Sequence, residues 1–110
     1  MVPRRGVVSC EGALAAPGVV APPDDDALAA MAKALGHPAR VAIVRLLAAQ
    51  EVCVTGDVVA QIGLAQSTVS EHLRILREAG LVQATADGVR TQYCLNRSGL
   101  ASLQSGIAAL

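Results

Sequence analysis

The sequence predicts a small α+β fold, an α-helical domain carrying one β-hairpin, in the order helix, helix, short helix, long helix, hairpin, helix. Three observations carry that prediction. Residues 63–80 make a glycine-bounded helix with one apolar and one polar side; residues 81–95 divide into two strands around Asp87 and Gly88; and apolar residues recur at helical spacing on either side, at Leu28, Met31 and Leu35 and again at Leu100, Leu103 and Ile107. Composition narrows the class further. At 110 residues the chain fits a single core, and with 53% hydrophobic residues but no Trp or Phe and one Tyr, that core has to be built from Ala, Val, Leu and Ile. So small an aliphatic domain leaves little room for an enzymatic cleft. The formal net charge is zero, so charge balance alone gives no support to a nucleic-acid partner.

Residues 1–23 hold four of the five prolines, show no sustained period and are expected to form a flexible arm; residues 24–110 form the domain. Arg4, Arg5, Val7 and Val8 superficially suggest an export signal, but Ser9, Cys10, Glu11 and Gly12 interrupt the apolar run, and no stretch approaches a membrane span. A cytoplasmic protein is therefore expected. Asp24, Asp25 and Asp26 cap and charge-match a first helix that Gly36 stops. Pro38 begins a second helix, apolar on most sides through Val41, Ile43, Val44, Leu46 and Leu47, as suits a central position. A short third helix is expected over residues 55–62. After the hairpin, Leu100, Leu103, Ile107 and Leu110 stripe a last helix that lacks an obvious intramolecular partner, and it is read as a dimer interface.

The helix after Gly63 carries most of the functional information. At about 100° per residue, Val69, Leu73, Ile75, Leu76 and Ala79 fall in one sector, and Gln66, Ser67, Ser70, Arg74 and Arg77 fall opposite. Such a helix packs on one side and reads on the other. Gln66, Ser67, Thr68 and Ser70 are small enough near its N-terminus to enter a major groove and bond base edges, with Arg74 and Arg77 left for positioning on phosphates. Asp87-Gly88 is expected to form a type I′ turn, and Arg90 on the hairpin would touch the DNA backbone or minor groove. A hairpin directly after a recognition helix is a wing. The fold is thus expected to be a winged helix-turn-helix that binds double-stranded DNA.

The residues resemble those of a known family. Lys33-Ala-Leu-Gly-His-Pro-Ala-Arg40, Ser67-Thr-Val-Ser-Glu-His-Leu73, Leu76-Arg-Glu-Ala-Gly-Leu-Val82 and the wing from Gly88 to Tyr93 occur in the order seen in the ArsR/SmtB family of winged-helix repressors, over about residues 25–105. The resemblance implies a homodimer joined through its first and last helices, a palindromic operator, no cofactor required for DNA binding, and release of DNA when an effector binds. The family's zinc or nickel site of Asp and His pairs on the last helix is absent, because residues 97–110 contain no Asp, Glu, His or Cys. His37 and His72 are read as structural.

The effector question rests on three cysteines. Cys53, in Glu51-Val-Cys-Val-Thr-Gly-Asp57, precedes the short helix, where Thr55 is a candidate N-cap and the helix dipole would favour a thiolate. This segment is similar to the cysteine motif of the family's arsenic, cadmium and lead sensors, which have a second cysteine where this chain has Thr55. The resemblance implies that Cys10 of the other subunit completes the site with Cys53, with Cys94 as a candidate third ligand. Soft thiolates would select arsenite, antimonite or a trivalent organoarsenical, or alternatively cadmium or lead. A further alternative is a thiol redox or persulfide switch, for which Cys53 and Cys94 are the natural pair. An enzyme is not expected: neither histidine can be placed beside Cys53, and there is no Gly-rich phosphate loop.

Overall fold

The computed structural model describes residues 22–110, and each element begins or ends where its sequence supplies a reason. Helix α1, Asp25–Leu35, opens on Asp24, whose Oδ1 accepts the Ala27 N–H at 2.8 Å, with Asp25 and Asp26 at the positive end of its dipole. Helix α2, Pro38–Ala48, opens on His37, whose Nδ1 accepts the Ala39 N–H at 3.0 Å, and Pro38 takes the first-turn place where its missing N–H costs nothing. The long helix α4, Gln66–Glu78, ends in a Schellman motif: Gly80 sits at φ +84°, its N–H donates to Arg77 O, and the Leu81 N–H donates to Leu76 O. Helix α5, Arg97–Ala108, opens on Asn96, whose side chain accepts the Gly99 N–H at 3.1 Å.

Two elements differ from expectation between α2 and α4. Val54–Thr55 forms a two-residue strand, β1, and the expected third helix is divided into α3, Gly56–Val59, and a 3-10 turn over Ala60–Ile62 that Gly63 ends at φ +97°. With Thr55 committed to a strand, too few residues remain before Gly63 for a regular α-helix, and its end tightens. Thr55 stands at the N-cap but makes no capping bond with its side chain.

The wing is the antiparallel pair β2, Val82–Asp87, and β3, Arg90–Leu95, with β1 on the other side of β3, so the sheet order is β1-β3-β2. Its turn is one residue later than expected. Asp87 pairs with Arg90, leaving Gly88 and Val89 as the loop, and Gly88, at φ +66°, supplies the positive φ that primed hairpin turns demand at their first central residue. The core is aliphatic throughout: Ile43 and Leu47 of α2, Val59, Val69, Leu73 and Leu76 of α4, then Leu81, Val82, Leu95 and Leu103. Each such side chain contributes roughly 1.5–3 kcal/mol by leaving water. The stripe of α5 divides, with Leu103 buried, Leu100 packed against the core, and Ile107 and Leu110 exposed at 54% and 93%. Among the described residues, no helix is long and apolar enough to cross a membrane.

Candidate functional site

Helix α4 is seated by Val69, His72, Leu73 and Leu76, all buried, and this fixes which residues face outward. Gln66, Ser67, Thr68, Ser70, Arg74 and Arg77 are exposed, as expected for the residues proposed to read DNA. No side chain caps the α4 N-terminus, so its first N–H groups remain directed outward beside Gln66 and Ser67. Arg74 is not an open cation. It bonds Glu71 at 3.0 Å through Nε and Glu78 at 2.9 Å through a terminal nitrogen, and its hydrogen bond holds the Glu71 carboxyl below the usual carboxylate range. Arg90, expected to meet DNA from the wing, reaches across to Asp57 at 3.3 Å. Both pairings are exposed, so exchange for a phosphate costs little.

Between α3, the start of α4 and the wing lies an open cavity of about 230 Å³, whose walls include Asp57, Gln66, Arg90 and Tyr93. Gln66 leans into it over Gly56: a Cβ at Gly56 would stand 2.9 Å from Gln66 Nε2 and 3.8 Å from the Tyr93 ring. The first residue of α4 therefore leans over the backbone at the start of α3, and it shares the cavity with Tyr93 of β3.

The cysteines are brought together by the element the sequence did not reveal. Val54 pairs with Tyr93 and Thr55 with Gln92, so Cys53, immediately before Val54, falls opposite Cys94, immediately after Tyr93. The two are joined as a disulfide, with Cα atoms 4.5 Å apart. Cys53 and Cys94 thus meet within one chain, the pairing named above for the redox alternative. Cys10 lies outside the described residues. Among the described residues, no group of three or more His, Cys, Asp and Glu side chains is placed to hold a metal ion.

The helix order, the wing and this reading face find their counterparts in known proteins. Residues 37–84 match the family described as bacterial regulatory protein, arsR family. A solved structure titled as a possible transcriptional regulator for arsenical resistance is 32% identical, superposes with a TM-score of 0.66, and is matched over 81% of its length and 72% of this chain. The chain belongs to the ArsR family. Another ArsR-family neighbour, the homodimeric winged helix-turn-helix DNA-binding domain Mb0332 of Mycobacterium bovis, is 30% identical with a TM-score of 0.61, over 76% of this chain and 80% of that one. The regulator CmtR of Mycobacterium tuberculosis is 43% identical over 77 residues, which cover 70% of this chain and 64% of CmtR. The ArsR-family chain thus spans somewhat less than two thirds of that relative. All three are described as transcriptional regulators or as DNA-binding domains of one, and none as an enzyme.

Two features of the site were missed in the sequence. Asp57 as the partner of Arg90 had no signal, because the two lie 33 residues apart and meet only through the fold. The approach of Gln66 to Gly56 had a weak one, a glycine directly after a β-branched pair.

Proposed function

We propose that this ArsR-family chain is a transcriptional repressor that binds a palindromic operator as a homodimer and is released from it by oxidation of Cys53 and Cys94 to a disulfide. The observation that carries the reading is the placement of that pair at the seam between β1 and β3, next to the cavity in which Gln66 rests. Two recognition helices spaced roughly 34 Å apart would enter successive major grooves. Gln66, Ser67, Thr68 and Ser70 contact bases, while Arg74, Arg77 and Arg90 exchange their carboxylate partners or water for phosphates. In the dithiol state β1 and β3 are held by strand pairing alone, and the wing adjusts to the groove. Oxidation, in which a polysulfide or peroxide takes two electrons and the thiols give up two protons, fixes the wing strand to the entry of α3 and withdraws that adjustment. A coupling of about 1–3 kcal/mol suffices for release.

A second reading is favoured by the same pair in its reduced form. Two adjacent thiolates suit a trivalent arsenic or antimony centre, with a third position left for Cys10 of the other subunit or a non-protein group, and the 32% identical structure titled for arsenical resistance supports it. The two sulfurs alone do not make the four-coordinate site that cadmium or zinc prefers, so cadmium or lead would depend on Cys10.

The deciding experiment is a fluorescence-anisotropy titration of the reduced protein on its upstream promoter fragment, challenged separately with tetrasulfide, peroxide, arsenite, antimonite, cadmium and lead. Release by tetrasulfide or peroxide, lost in both Cys53→Ser and Cys94→Ser while operator binding persists, is the expected result. Release by arsenite alone would move the function to the metal reading. Failure of the reduced protein to bind would remove both.

A further inference from the structure

On the side of α4 away from the cysteines, one arginine holds three helices together. Arg40, in the first turn of α2, donates through Nε to His72 Nδ1 at 3.1 Å, and through a terminal nitrogen to the carbonyls of Ala34 at 3.1 Å and Lys33 at 3.5 Å. Those carbonyls lie in the last turn of α1, where Lys33 O also accepts the Gly36 N–H and the helix dipole favours a cation. His72 lies in the middle of α4, is 9% exposed, and is the one buried polar side chain among the described residues. Its ring stands 4.8 Å from that of His37, whose own Nδ1 is committed to capping α2.

We infer that Arg40 is a positioning residue for the recognition helix, holding α4 at its reading angle through a bond that only unprotonated His72 can accept, so that acid opens the latch and weakens operator binding. The inference rests on the proposed operator-binding function and adds a control separate from the cysteines.

The chemistry follows from which atom carries the bond. Nδ1 accepts from Arg40, so the imidazole proton sits on Nε2. A second proton on Nδ1 would replace the acceptor by a donor pointed at a guanidinium. The bond is lost, and two cations are left in contact in a space that water barely enters. The surrounding charges do not relieve this. From α2, Arg40 and His37 face the ring; from α1, the turn whose carbonyls Arg40 bonds carries Lys33; from α4 itself, Glu71 and Glu78 are both bonded to Arg74. Burial, then His37 and Arg40, hold the His72 imidazole below the usual histidine range, with Glu71 opposing weakly. The side chain therefore stays neutral at pH 7 and takes its proton in acid, at the expense of the latch.

The sign of the effect makes it testable. Lowering the pH adds positive charge to a protein and ordinarily tightens its hold on DNA. A latch through His72 does the opposite, costing up to tenfold in affinity per pH unit for each subunit, and so up to about a hundredfold for the dimer, once the pH is below the His72 midpoint in the free protein.

The experiment is an anisotropy titration of the reduced full chain on its operator fragment from pH 8 to 5.5 at fixed ionic strength, with circular dichroism confirming that the helices persist. Expected is an affinity that falls in acid for wild type and His37→Gln. H72A should bind about tenfold more weakly than wild type at pH 7.5, whereas H72N, whose amide oxygen takes the place of Nδ1 and accepts from Arg40 at any pH, should recover most of that loss and show no fall in acid. An acid-independent or acid-strengthened wild type, or an acid loss that survives in H72N, overturns the inference. Should the His72 variants fail to fold, NMR of DNA-free wild type decides: the backbone amides of α4 must titrate together with the His72 ring, and their failure to do so overturns it equally. Absence of binding at every pH counts against the operator-binding function, and the NMR titration still judges the latch.

Discussion

Gly99 is a glycine because another residue's backbone occupies the place of its side chain. A Cβ there would collide with the carbonyl oxygen of Gly80, at the corner where α4 ends and α5 begins. That corner is tight because Asn96 uses its backbone N–H to reach Leu81 O at 2.9 Å and its side chain to cap α5 at Gly99. Gly99→Ala must push α5 away from backbone that cannot yield, and is expected to lower unfolding free energy by about 2–3 kcal/mol in urea titration. At this scale the sequence was partly legible. Gly63 and Gly80 announced themselves as helix ends because a positive φ is a local property, and Asp24 and Pro38 likewise marked helix starts. Gly99 and Arg40 did not, since what they touch lies 19 and 32 residues away and is set by packing.

Among the elements, the recognition helix and the wing were legible because each is long enough to show its period: α4 has 13 residues and each wing strand six. Strand β1 has two, which carry no period, and its register was therefore invisible. The opposition of Cys53 and Cys94 follows from that register, which is why the similarity of the Cys53 segment to metal sensors pointed first to Cys10, with Cys53 and Cys94 as the pair of the redox alternative. The crosslink joins residues 41 apart in sequence. By the loop-closure relation, reducing it should cost about 3–4 kcal/mol, read as a lower urea midpoint in reductant than in its absence. Cys53→Ser and Cys94→Ser should each show the lower value with or without reductant. Equal midpoints in all six conditions would mean that the oxidised chain gains nothing from the bond.

For the molecule as a whole, the division of the α5 stripe bears on assembly. Leu103 completes the core, and Gly106 lets Leu28 and Pro23 approach α5 within the same chain, so α1 and α5 already pack together before any second subunit is added. What remains outward is Ile107, in the last turn of α5, and Leu110, just beyond its end. Placed against their equivalents in a second copy, they would extend the α1 and α5 contact across a two-fold axis; the Mycobacterium bovis neighbour is described as homodimeric. Ile107→Glu should yield a monomer by analytical ultracentrifugation with the circular dichroism of wild type, and operator affinity should fall at least a hundredfold because one half-site alone is engaged. The aliphatic core and the helix order were legible from composition and period; the sharing of one stripe between core and surface was not, because periodicity gives a face and not what covers it.

The bond between Cys53 and Cys94 also changes the connectivity of the chain. It closes a covalent ring that contains α3, α4, β2 and nearly all of β3, while α1 and α2 leave the ring at one end and α5 at the other, side by side. Oxidised, the reading part is a circle hung from a single point on the dimerising part; reduced, it is a span tethered at two separate ends. A cut at the wing tip would leave the oxidised protein in one piece and divide the reduced protein in two.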